Sequence, residues 1–164
     1  MRTPRARASR KPTAPTAGRA SGEEDVSGTV AALYAEHYRP LVRLAVLLVS
    51  DLAAAEEIVQ EAFADLHGTW RTLPGPDAAL RYLRRSLIRR SRATASQQAD
   101  PGAGLLPALR ALPAREREVL VLRYFADLPE AEIASVTGTR ITAVRTYAAR
   151  GMSSLRAGLP GNVA

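Results

Sequence analysis

The chain has 164 residues with 23 basic and 16 acidic side chains, a net charge of +7 and no cysteine, which excludes disulfides and cysteine-based zinc sites. The two histidines, His37 and His67, are too few to build a metal site by themselves. The length fits one ordinary domain or two small ones, and the scarcity of aromatics (5%) among 46% apolar residues predicts two small cores of Leu, Ile, Val and Ala. No run approaches the apolar length of a membrane span, and no signal-peptide pattern precedes a small-residue cleavage site, so a cytoplasmic protein is expected. Lys11 is the only lysine. Such an arginine bias suits phosphate recognition, because the guanidinium fork binds bidentately, and it equally follows from a GC-rich genome.

Residues 1–25 read as a disordered basic tail: Met1 to Gly22 carries Arg2, Arg5, Arg7, Arg10, Lys11 and Arg19, no acid and three prolines. It fits a phosphate-binding arm and a solubilising tail alike. A helical period starts at Val26, with Leu33, Tyr34, His37, Tyr38, Leu41, Leu44, Ala45 and Leu48 at spacings of three and four. Ser50-Asp51 stops that helix and caps the next, predicted over Ala53 to His67 with Ala55, Ile58, Val59, Ala62, Phe63 and Leu66 inward. Leu73-Pro74-Gly75-Pro76-Asp77 is a loop signal, and a third helix follows from Asp77 to about Arg92. Residues 93–104 read as a flexible linker. Beyond it come a short helix from Leu105 to Ala111, a longer one from Pro113 to Phe125, and a final pair after Leu128-Pro129. No strand pattern or internal repeat is found. The expected fold is all-α, with domains at residues 26–92 and 105–160.

The sharpest signal lies between Pro129 and Leu155. A helix-turn-helix needs a small residue where its helices cross, a glycine in the turn and an apolar anchor on the second helix, and Ala134, Gly138 and Val144 fit these places. Ile141, Val144, Ala148, Met152 and Leu155 would face inward, leaving Thr142, Arg145, Thr146, Ala149 and Arg150 outward where a recognition helix meets the major groove. Arg145 can fork onto a guanine, and Thr142 and Thr146 can reach phosphates or a thymine methyl. An ordinary helical hairpin with a solvated arginine face is the plainer reading. On the third helix Arg81, Arg84, Arg85, Arg89 and Arg92 fall within roughly 140° of arc, opposite Leu80, Leu83 and Leu87, with Arg90 behind them and Ile88 interrupting the stripe. Trp70 and Tyr82 flank the Pro-Gly loop, and aromatics beside a basic face suit unstacked bases, although both fit plain core positions too. The second helix carries Glu56, Glu57, Gln60, Glu61 and Asp65, an acidic face that would repel DNA and so points either to a basic protein partner or simply to solvent.

These elements in this order resemble the extracytoplasmic-function (group 4) sigma factors of the sigma-70 family, and within them the actinobacterial sigma-E-like subgroup. Leu33-Tyr34-Ala35-Glu36-His37-Tyr38-Arg39-Pro40-Leu41 is similar to the first helix of their region 2. Ala55-Glu56-Glu57-Ile58-Val59-Gln60-Glu61-Ala62-Phe63 is similar to the segment that docks on polymerase, and Tyr82-Leu83-Arg84-Arg85-Ser86 to the helix that reads the −10 element. Leu112-Pro113-Ala114-Arg115-Glu116-Arg117-Glu118, followed by Glu132-Ile133-Ala134, resembles the opening of region 4. Arg89 stands where an asparagine is common, Tyr147 where a basic residue or histidine is, and Arg145-Thr146 where Lys-Ser is usual.

The resemblance implies a region 2 bundle and a region 4 helix-turn-helix, with core RNA polymerase and promoter DNA, duplex and single-stranded, as partners. It implies polymerase contacts at Glu57, Gln60, Glu61 and Asp65, and −10 contacts at Trp70, Arg81, Tyr82, Arg84, Arg85 and Arg89. For the −35 element it implies Thr142, Arg145, Thr146, Tyr147 and Arg150. An anti-sigma partner would fit, and no enzyme, cofactor or metal is expected. Two other readings share parts of the pattern: a helix-turn-helix regulator that binds only duplex DNA, and a diverged sigma-like decoy.

Overall fold

The structure is a computed structural model that describes residues 20–94 and 104–159. It is built from helices α1 (Ala20–Val49), α2 (Leu52–Thr69), α3 (Pro76–Thr94), α4 (Leu105–Ala111), α5 (Ala114–Tyr124), α6 (Glu130–Thr137) and α7 (Ile141–Gly158), with a 3-10 turn at Trp70–Thr72. Among the described residues there is no strand, and no helix is long and apolar enough to cross a membrane.

Helix α1 starts six residues earlier than its periodicity predicts, so residues 20–25 of the expected tail are helical; residues 1–19 lie outside the described part. The stretch Ala20-Ser21-Gly22-Glu23-Glu24-Asp25 has no large apolar residue for a helical period to register. Pro40 lies inside α1 and supplies no N–H to the Glu36 carbonyl. Both residues are exposed, so water can take the place of the missing donor. The chain leaves α1 through Ser50, which adopts a left-handed φ of 58°. Asp51 then caps α2, its carboxylate accepting from the Ala54 N–H at 2.7 Å.

The six residues of α2 expected inward are the six it buries. Against them lie Leu33, Leu41, Leu44, Ala45 and Leu48 of α1 and Leu83 and Leu87 of α3. Tyr34 of α1 stacks on Tyr38 and meets Phe63 edge-on, with centroids 4.6 and 4.9 Å apart.

Helix α3 departs from the one-sided pattern. Ile88 does not interrupt its buried stripe but belongs to it, at 1% exposure, while Leu80 is only half-buried. The reason is position: α3 packs on α1 and α2 and also on α6, so Ser86, Leu87, Ile88 and Ser91 are all covered. Helix α3 also continues through Thr94, making residues 93–94 of the expected linker helical, with residues 95–103 outside the described part.

In the C-terminal half α5 and α7 pack at close range, and α6 lies against both. Two separate cores do not result. One apolar cluster runs from Leu48, Leu66 and Leu83 into Leu122, Ile133 and Val144, and a smaller one gathers Leu109, Leu112 and Leu120. Each three- or four-helix group is too small to cover its own apolar surface, and α3 and α6 cover each other's.

Candidate nucleic-acid interface

Helices α6 and α7 form the expected helix-turn-helix. Gly138 ends α6 with φ 68° and ψ 38°, and the Thr139 N–H closes the turn on the Ala134 carbonyl at 3.0 Å. A Cβ at Gly138 would meet nothing within 4 Å, so glycine is required for its left-handed backbone and not for space. Val144 and Ala148 anchor α7 on the core. Met152 and Leu155 are half-buried against the smaller cluster. Ile141 is the exception to the inward set: it is 43% exposed, because the first residue of α7 overhangs the end of the packed body.

Thr142, Arg145, Thr146, Ala149 and Arg150 all lie exposed on the outer face of α7. The Thr146 hydroxyl donates to the Thr142 carbonyl at 3.1 Å, a bond within the helix. Tyr147 is half-buried and packed on the main cluster, so it shares the turn but not the open face. Arg145 is exposed yet held: its Nε donates to Glu130 Oε2 at 2.7 Å, and Glu130 also faces Arg123 Nη1 at 3.3 Å.

The hydrogen bond from Arg145, with the charges of Arg145 and Arg123 behind it, holds the Glu130 carboxyl below the usual carboxylate range. A lowered folded-state value means the tether is complete above the ordinary carboxylate pKa and is lost as pH falls through the depressed one. A carbon-detected NMR titration should therefore place the Glu130 midpoint below that of a free glutamate, and Arg145→Ala should raise it. A normal midpoint in the unmutated chain would show that the tether does not persist in solution.

The α3 stripe divides in two. Arg81, Arg85 and Arg89 are exposed. Arg84 and Arg92 turn toward the C-terminal helices, Arg84 bonding Glu132 of α6 at 2.8 Å and Arg92 gripping Glu118 of α5 through Nε at 2.6 Å and Nη2 at 2.7 Å. Arg90 ties α3 to α2 instead, bonding Glu61 and, at 2.6 Å, Asp65. Trp70 and Tyr82 are half-buried on the main cluster, which matches the core alternative for both. On α2, Glu56, Glu57 and Gln60 are exposed and without a pair among the described contacts, whereas Glu61 and Asp65 serve the Arg90 pair.

Sequence reasoning missed Glu118, which is 2% exposed. The alternation Arg115-Glu116-Arg117-Glu118 reads as surface, yet Glu118 precedes Val121 and Leu122 by three and four residues and so shares their buried side. Arg117 beside it is buried too; desolvation pushes its pKa down, and its Nη1 donates to the Arg110 carbonyl at 3.0 Å. No group of acidic or histidine side chains that could hold a metal occurs among the described residues.

The helices coincide with two family models. Residues 33–99 match sigma-70 region 2, and residues 105–155 match sigma-70 region 4. The chain is also similar to the RNA polymerase sigma-E factor of Streptomyces coelicolor, 29% identical over 137 residues, which covers 71% of this chain and 77% of that protein. Most of α1 with α2 and α3 falls in the first match, and α4–α6 with most of α7 in the second, so the helix-turn-helix lies in region 4 and the basic stripe of α3 in region 2. The chain belongs to the sigma-70 family, as a sigma-E-like factor of the extracytoplasmic-function group that directs transcription initiation.

Proposed function

We propose that residues 26–92 hold core polymerase through the outer face of α2 and capture the non-template strand of the −10 element beside α3, while residues 105–160 bind the −35 element as duplex. The observation that carries this is the outer face of α7. It presents Thr142, Arg145, Thr146 and Arg150 together, directly after the left-handed Gly138 turn. A helix start placed this way offers two hydroxyls and two guanidinium forks to base edges and phosphates. Arg81, Arg85 and Arg89 supply the exposed charge for a single strand, and Trp70 and Tyr82 the neighbouring rings. Strand opening would be driven by holding unstacked bases against the protein. A regulator limited to duplex DNA would leave the region 2 match without a use. We place the protein's action in the cytoplasm, where core polymerase meets the promoter, with an anti-sigma factor as a fitting further partner.

Run-off transcription with core polymerase tests the reading, and a decoy would give no product. Arg145→Ala narrows it to the −35 element. Loss of a bidentate guanine contact costs about 1–3 kcal/mol and relaxes preference at one base pair. Transcription of a randomised −35 library should show that relaxation with the −10 preference intact. Uniformly lower output would assign Arg145 to a phosphate, and undiminished output would remove α7 from the −35 contact.

A further inference from the structure

The cap and first ten residues of α7 carry three exposed arginines in unequal surroundings, Arg140, Arg145 and Arg150. Among the described residues, Arg140 and Arg150 have no carboxylate within ion-pair distance, and Arg145 alone of the three is paired. Its partner is fixed from two sides. Glu130, the first residue of α6, accepts Arg145 Nε at Oε2, and its other oxygen faces Nη1 of Arg123, in the last turn of α5, at 3.3 Å. With both oxygens engaged, the carboxylate is a fixed post and not a loose surface group.

The bond to Glu130 uses the N–H nearest the stem of Arg145. Nη1 and Nη2 make no hydrogen bond among the described residues. A guanidinium is planar and rigid, so fixing Nε also fixes the terminal edge, which keeps two parallel donors free. An exposed ion pair of this kind adds little to the stability of the fold. Its effect falls on the direction of the side chain.

We infer that Glu130 is a specificity-determining residue for the −35 element: it holds Arg145 by Nε, offers the Nη1–Nη2 edge to a guanine and withholds the cation from phosphates. The inference rests on the assignment of α7 to the −35 element above. An untethered arginine beside duplex DNA is drawn to the backbone, and a phosphate contact carries no sequence information. Swinging Arg145 to a phosphate would break its bond to Glu130. The carboxylate would then keep only Arg123, on the helix of the motif that crosses the DNA backbone, whose phosphates repel it. That penalty is the same on every sequence. Guanine O6 and N7, by contrast, accept from the terminal edge with the tether intact. Arg140 and Arg150 have no such hold and suit the phosphates on either side.

The test uses polymerase reconstituted with the full-length chain. Glu130→Gln removes the charge, and Glu130→Ala also removes the acceptor, so a glutamine still bonded to Nε cannot conceal the effect. On a randomised −35 library, both should lower the preference at the base pair read by Arg145 by about fivefold or more, while output from the disfavoured sequences holds or rises. The affinity of the reconstituted enzyme for promoter duplex, followed by fluorescence anisotropy across salt concentrations, should fall more steeply, by about one in the log–log slope, as one more phosphate is engaged. In an Arg145→Ala background, Glu130→Gln should change neither quantity. Unchanged preference and slope, or lower output on all sequences with the preference kept, overturns the role of Glu130. The failure of the underlying assignment looks different: Arg145→Ala itself would then leave the preference intact. Relaxed preference in Arg145→Ala without relaxation in either Glu130 variant keeps the base contact and removes Glu130 as the residue that aims it.

Discussion

Glu57→Arg combined with Gln60→Arg should weaken binding to core polymerase by about 2–5 kcal/mol, the range for a charge contact that is desolvated on docking and then disrupted. The free chain should lose almost no stability, because both side chains are exposed and substitutions at such positions stay within about 0.5 kcal/mol. The choice of positions matters. Glu61 and Asp65 also face outward in part, but they hold Arg90, so reversing Glu61 would place two cations together and loosen α2 from α3. A pull-down with Glu61→Arg would thus mix lost docking with lost folding. Fluorescence competition for core polymerase, run beside a urea titration of the free chain, separates the two. Unchanged polymerase affinity for the Glu57, Gln60 variant would remove this face of α2 as the docking surface.

Leu83→Ala should have the largest effect on stability. Leu83 is fully buried at the middle of α3, in the cluster formed with α1 and α2. Removing a leucine side chain from such a place costs about 2–5 kcal/mol, because the cavity cannot collapse between three helices fixed by their own hydrogen bonds. A chain of this size changes its midpoint by about 2–4 °C per kcal/mol, so a fall on the order of 10 °C is expected. Thermal unfolding followed by circular dichroism measures it. A shift of only a degree or two would mean that α3 is not anchored at this residue.

The elements that could be read from sequence are those whose signal is local. The inward set of α2 repeats at helical spacing and faces one neighbouring layer, so periodicity alone identifies all six residues. The bounds of α4 and the glycine turn before α7 are likewise written in adjacent residues. Ile88 was not legible because periodicity assumes one buried face, and α3 has two. The start of α1 was missed because its first residues are small or charged and leave no apolar trace. In the candidate interface, the outward direction of Arg145 follows from its place next to Val144, but its bond to Glu130, fifteen residues earlier, does not. The same limit hid the partner of Arg92, which lies 26 residues further along the chain. Charge patterning along one helix shows which side chains share a face and is silent on which of them another helix will claim.

The crossing of α5 and α7 has a mechanical consequence. At Gly151 the helices approach so closely that a Cβ would stand 3.0 Å from Leu120 Cδ1 and 3.1 Å from Glu116 Cβ. A side chain there would force α7 to tilt about that point, and Arg145 sits six residues out along the arm, about 9 Å at ~1.5 Å per residue. The added side chain would act as a shim. A tilt of about 10° would displace the Arg145 backbone by roughly 1.6 Å over that arm, enough to break a hydrogen bond made by its guanidinium fork. The reach of the outer face of α7 is thus set from behind, by the glycine at its crossing with α5.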